Sequence, residues 1–278
     1  MLSNLLSSIN DNVYEFLDKL VFVNADITKS LSAIIGGNAH SGITLICNSL
    51  IYGFLLYYGI SYLISHLTFS QIESPLQFIF KLLLCAIALN ASEFLCSQLI
   101  SMFSHISNMT CELGNYMFGF DVSFSGLIQD IIPKEYFLSN SFSLFSFDGI
   151  INTSISFGFL SLSISYVIRY IILKVLVIIA PFAILSLASS KSSWFFKSWF
   201  KSFIALLFLQ IFVAIILLVC FIIDDRDRFL PAQIMYIGMI YSLFKANSFV
   251  REFIGGFSTD ANFSFSNISS IFKGGNSK

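Results

Sequence analysis

Charge is what this chain has least of. Asp, Glu, Lys and Arg make up 11% of its 278 residues, against roughly 25% in an ordinary globular domain. So few charged groups cannot cover a globular surface, and the 56% hydrophobic content and mean hydropathy of +0.83 agree that the solvent is largely lipid. A net charge of -1 excludes a globally basic nucleic-acid binder but leaves local patches open. Catalytic signatures are missing too. His40, His66 and His105 stand far apart, and there is no HExxH, GxSxG or phosphate-cradling glycine loop. Asp224, Asp225 and Asp227 fall short of a DDxxD metal-diphosphate motif, because Arg228 occupies the last acidic position. The expectation is no enzyme, no metal and no cofactor. The five cysteines (Cys47, Cys85, Cys96, Cys111, Cys220) form no CxxC pair or Cys/His cluster and read as small buried hydrophobes. No Lys or Arg precedes Lys19 and no compact apolar run ends at a small-residue cleavage site, so no cleavable signal peptide is expected.

Long apolar runs are what the chain does have. A crossing takes about 20 residues, and the pattern predicts an all-α polytopic membrane protein with about five spans. The runs are 43–65, 78–102, one beginning at 151–169, 202–223 and the weaker 229–243. The third continues to 188 as an apolar extension that something must cover, with a helix bend expected at Pro181. Ahead of them, residues 2–20 space Leu2, Leu5, Leu6, Ile9, Val13, Phe16, Leu17 and Leu20 as an amphipathic helix, too polar to span. The domain reading is an N-terminal segment 1–42, two spans in 43–102 and a large loop 103–150. A core 151–250 and a flexible tail 251–278 follow.

Both tryptophans fall in SSKSSWFFKSWFK, residues 189–201, together with three lysines. Basic residues collect in short cytoplasmic loops, so Lys191, Lys197 and Lys201 put this stretch inside. The 103–150 loop, with Lys134 as its only basic residue, goes outside, as does the N-terminus, and the C-terminus lies inside. Trp194 and Trp199 are candidate interfacial anchors, and the three lysines a candidate rim facing a substrate or partner. Polar groups at membrane depth are a further lead, because they are costly and are paired or face water. They are Asn90, Glu93, Arg169, Lys174 and Gln210. Counting the rise along each span puts Glu93 nearer the outer face and Arg169 at the inner end of the third span.

Residues 167–217 combine a basic residue in a long apolar run, an APFA step at 180–183, a small polar linker, a KSWFK element and an apolar span carrying Gln210. In this order they resemble the core of the VirB6/TrbL family of type IV secretion proteins. VNADITKSLSAIIGG at 23–37, ICNSLIYGFLLYYGISYLISHLTFSQ at 46–71 and VREFIGGFSTDA at 250–261 resemble TrbL-like conjugation proteins of Gram-positive mobile elements. The resemblance implies a multi-pass channel or scaffold subunit in a bacterial cytoplasmic membrane, present in several copies. Its implied partners are VirB3-, VirB4-, VirB5- and VirB8-like components, the lipid bilayer, and transiently single-stranded DNA with its relaxase, or a protein substrate. It implies no chemistry in this subunit. The competing readings are a small-solute transporter, which internal repeats and paired broken helices would favour, and a passive membrane anchor.

Overall fold

The computed structural model describes residues 18–24, 26–29, 31–35, 42–68, 74–119, 123, 126, 147–189, 192–226 and 232–254. Among them every regular element is helical, as lipid requires of a backbone that must satisfy its own polar groups. In chain order these are α1 (Asp26–Lys29), α2 (Ser32–Ile35), α3 (Gly42–Thr68), α4 (Pro75–Asn90), α5 (Ser92–Phe118) and α6 (Phe147–Leu185). A 3-10 turn at Ser186–Ala188, α7 (Ser193–Arg226) and α8 (Ala232–Ile254) complete the order. Three stretches are long and apolar enough to cross a membrane: α3, Phe157–Ala188 and Ser193–Ile222. Helices α4 and α5, bent by 62° between them, pass the same test only as a pair, which gives three to four candidate spans. The chain is a membrane-embedded all-helical protein. Helix α8, which covers most of the expected fifth span, is not among these stretches; the exposed Tyr241, Ser242 and Lys245 interrupt its apolar residues.

Helix α7 is the centre. It runs antiparallel to α6: the Trp199 indole Nε1 donates to the Leu176 carbonyl at 2.9 Å, and Arg169 donates to the Leu206 carbonyl at 2.8 Å. Helix α8 returns along α7, with Phe249 stacked on Phe212 at 5.3 Å. It meets α6 where a Cβ on Gly158 would come within 2.9 Å of the Ile240 Cγ2. Helix α5 runs in the same direction as α7. Cys96, Ile100 and Phe103 share a buried cluster with Trp199, Phe203, Leu206 and Leu207. The Ser107 hydroxyl donates to the Gln210 carbonyl at 3.4 Å, and Cys111 packs on the cluster of Val213 and Leu217.

This alignment changes two expectations. Residues 103–118, expected in a loop, are the second half of α5, and 147–150 begin α6; the rest of 103–150 lies largely outside the described residues. The expected span 78–102 is cut at Ala91, whose φ of -91° and ψ of 5° leave the helical region. The Asn90 amide beside the cut donates to the Ala86 carbonyl and exchanges hydrogen bonds of 3.1 and 3.3 Å with Asn48. Its bonds tie α4 to α3 rather than to α5. Pro181, where a bend is expected, lies inside α6. The α-helix passes Pro181 and ends only after Leu185. Ser186 ends it: its hydroxyl donates to the Ala183 carbonyl at 2.6 Å and accepts from the Phe196 N–H at 3.1 Å, competing with the helical ladder.

One face of the apolar extension of α6 is covered by this chain itself, while Ile171 and Val175 stay exposed. Leu173, Val177, Ala180 and Ala183 are buried with Val23, Ile27, Leu31 and Ile35 of the N-terminal segment. That segment is therefore a core element from residue 20 onward; most of the expected helix 2–20 lies outside the described residues. Helices α3 and α4 form a hairpin, with Tyr58 stacked on Phe78 at 3.8 Å. Its base packs Cys47 and Leu89 on Ile184 and Leu185, while Leu56, Tyr57, Leu63, Phe80 and Leu83 along it stay exposed.

Candidate functional site

The polar centre of the bundle is Arg169. The expectation placed it at the inner end of a span, where its side chain could extend to water. The continuous helix instead puts it near the middle of Phe157–Ala188, only 1% exposed. Its guanidinium donates to two backbone carbonyls, Val21 at 2.9 Å and Leu206 at 2.8 Å. Residues 18–21 are helical and 22–24 are not, so Val21 sits at a helix end where carbonyls lack intrahelical donors. Arg169 supplies the missing donor and a positive charge where the helix dipole favours one. A cavity of about 10 Å³, the size of one water, lies against Arg169 between Tyr166, Ser165 and Asn247. Gln210, also near mid-span, is fully buried, and its side-chain amide has no hydrogen-bond partner among the described residues.

The basic and aromatic stretch lies at one end of the α6–α7 pair. Lys197 and Lys201 are exposed, consistent with a polar rim, while Lys191 lies outside the described residues. The two indoles part company. Trp194 is 66% exposed. Trp199 is 6% exposed, stacked on Phe203 at 5.3 Å and hydrogen-bonded to α6, so it is a helix-packing residue and not an anchor. Lys174 lies over the Tyr170 ring at 4.7 Å, a cation–π contact that holds the ammonium against its own helix.

A cleft of about 330 Å³ opens at the break between α4 and α5, where Thr28, Lys29, Asn90, Ser92, Glu93 and Ser97 meet. Parallel packing of α5 on α7 puts Glu93 at the Trp199 end of the bundle, the end that carries the lysines. That reverses the expected position nearer the opposite face, which assumed an unbroken span. Asn90 serves the α3–α4 hairpin through Asn48. Lys29 and Asp26 pair at 2.9 Å on the rim of this cleft, and the ammonium holds the Asp26 carboxyl below its ordinary range. The sequence reading passed over this pair and over the Val21 carbonyl; the first is hidden in a segment with ordinary composition, and a backbone acceptor has no sequence signal.

Among the described residues no group of three His, Cys, Asp or Glu side chains could hold a metal ion. The five cysteines are free thiols, four buried and Cys111 half-buried, as expected of small apolar residues. What the arrangement offers is a rigid polar core inside an apolar bundle, with a polar cleft and exposed lysines at one end. No protein family, no curated protein and no solved structure matches this chain.

Proposed function

We propose that this chain is a channel or scaffold subunit of a conjugative type IV secretion system, helping single-stranded DNA with bound relaxase, or a protein substrate, across a bacterial cytoplasmic membrane. The observation that carries the reading is the arrangement of residues 167–217, the stretch with the family resemblance. Its charged residue, proline step, small linker, basic–aromatic element and glutamine-bearing span fold together as one antiparallel unit around Arg169. The lysine-bearing end faces the cytoplasm, by the rule that basic residues stay inside. From there α5 runs outward, α6 inward and α7 outward, and α8 returns along α7. The hairpin of α3 and α4 and the outer side of α6 leave apolar residues such as Leu56 and Val175 exposed to lipid or to other subunits.

The small-solute transporter has one observation in its favour, the broken α4–α5 helix with a polar cleft. A transporter of that kind pairs two such breaks at mid-depth, whereas this one lies at the lysine-bearing end. An in-frame deletion in the native host decides between them. Conjugative transfer should be lost and restored by the gene in trans, and by a variant with Lys191, Lys197 and Lys201 changed to Gln only weakly if the rim meets phosphates or an acidic partner. Undiminished transfer in the deletion strain would end the secretion reading.

A further inference from the structure

Helix α5 has three sides. At about 100° per residue, Cys96, Ile100, Phe103 and Ser107 fall on one, buried in the bundle. Leu95, Met102, Ile106, Met109 and Leu113 fall on a second, exposed and apolar, with the exposed Gln98 and His105 along its edge. The third carries Glu93, Ser97, Ser101, Ser104, Asn108 and Glu112, at the three- and four-residue steps of a single face. None of these six is buried, and none makes a side-chain hydrogen bond or ion pair with another described residue.

The depth of this stripe follows from the packing. Residues 96–111 lie alongside 203–217 of α7, well inside the crossing stretch Ser193–Ile222. From Glu93 to Glu112 the stripe is about 29 Å long at about 1.5 Å per residue, close to the roughly 30 Å of hydrocarbon. Lipid suits the apolar side and excludes the polar one, because carboxylates and amides at that depth face a protein interior or water. At the Glu93 end the cleft joins the stripe to the Asp26–Lys29 pair, whose side chains are 67% and 80% exposed. An ion pair that open needs water beside it.

We infer that this side of α5 is the wall of a water-filled passage across the bilayer, completed by subunits outside this chain. The inference rests on the channel reading and names the surface that would do the conducting. The wall is acidic: Asp26 and Lys29 cancel, leaving Glu93 and Glu112. Carboxylate rings favour cations, so a bare nucleic-acid strand would be repelled, and an unfolded polypeptide rich in basic residues is the better-matched occupant.

The test uses single cysteines in membranes of cells that express the full chain with its native neighbours. Ser97→Cys, Ser101→Cys, Ser104→Cys and Asn108→Cys probe the stripe; Met102→Cys, Ile106→Cys and Met109→Cys probe the apolar side. The unsubstituted chain gives the background of the native thiols. The probes are a cationic and an anionic methanethiosulfonate, neither of which crosses lipid. Stripe positions should react at least tenfold faster than apolar ones, with the cationic reagent ahead several-fold. Glu93→Gln together with Glu112→Gln should abolish that preference. Stripe cysteines as slow as the apolar set would mean a dry protein interface and overturn the inference. Equal, fast reaction at all seven positions would overturn it as well, by placing α5 outside the bilayer. The outcome is independent of transfer: a slow stripe beside lost transfer in the deletion strain sinks the passage alone, and a fast stripe beside intact transfer sinks the secretion reading alone.

Discussion

Arg169 stabilises the bundle by completing the hydrogen bonding of a helix end that would otherwise stay unsatisfied. Its guanidinium donates to the Val21 carbonyl at 2.9 Å from a buried position. Arg169→Met should therefore cost about 1–3 kcal/mol, the penalty for a buried acceptor without a partner. The loss should be local: residues 18–35 should detach while α6 and α7 stay packed through Leu173, Phe203 and Leu207. Tryptic cleavage after Lys19 or Lys29 in detergent-purified protein should then speed up by about an order of magnitude. Unchanged cleavage would mean that Arg169 does not hold the segment. The arginine itself was visible in the sequence as a charge within an apolar run. Its role was not, because both of its partners are backbone carbonyls.

Among elements, α6 and α8 show how little freedom the bundle has where helices approach closely. Gly158 meets Ile240 with no room for a side chain, whereas nothing lies within 4 Å of a Cβ placed on Gly53 or Gly59 in α3. Gly158→Val should destabilise by about 1–3 kcal/mol through overpacking. Gly53→Ala should instead stabilise by about 0.5–1 kcal/mol, because a mid-helix glycine only adds chain entropy to the unfolded state. Thermal unfolding in one detergent measures both, and the same sign for the two variants would refute this account of α6–α8 packing. Helix existence was legible from the apolar runs. The break at Ala91 was not, since the composition of 78–102 is that of one span; the Asn48–Asn90 bonds that tie α4 into a hairpin are tertiary.

For the whole molecule the alternating directions of α5, α6, α7 and α8 give a firm orientation test. An impermeant maleimide added to intact cells should label Ser139→Cys in the segment that connects α5 to α6. It should label Ser193→Cys and Ser198→Cys, at the lysine-bearing end, only after permeabilisation. The native thiols give a low background because four of the five are buried. The reverse pattern would invert the molecule and with it the proposed cytoplasmic position of Lys197 and Lys201. The N-terminal segment and hairpin complicate any count of spans from hydropathy alone. Residues 18–35 occupy bundle volume without being an apolar run, and α3 and α4 are apolar yet pack on the bundle only at their base.

Composition and order alone determined that this chain lives in a membrane, that it is helical, and which end carries the lysines. Those are additive properties, since each residue's transfer from water to lipid has nearly the same sign whatever its neighbours. Only the tertiary structure decided which polar groups meet protein and which are left exposed at membrane depth. Arg169 is satisfied by a carbonyl 148 residues away, and Trp199 is withdrawn from the interface by a carbonyl 23 residues away. The α5 residues that resemble a polar loop in sequence are helical and run alongside the crossing stretch of α7. In lipid the free energy of a polar side chain is set by what it touches, and contacts at that range are properties of the packed bundle.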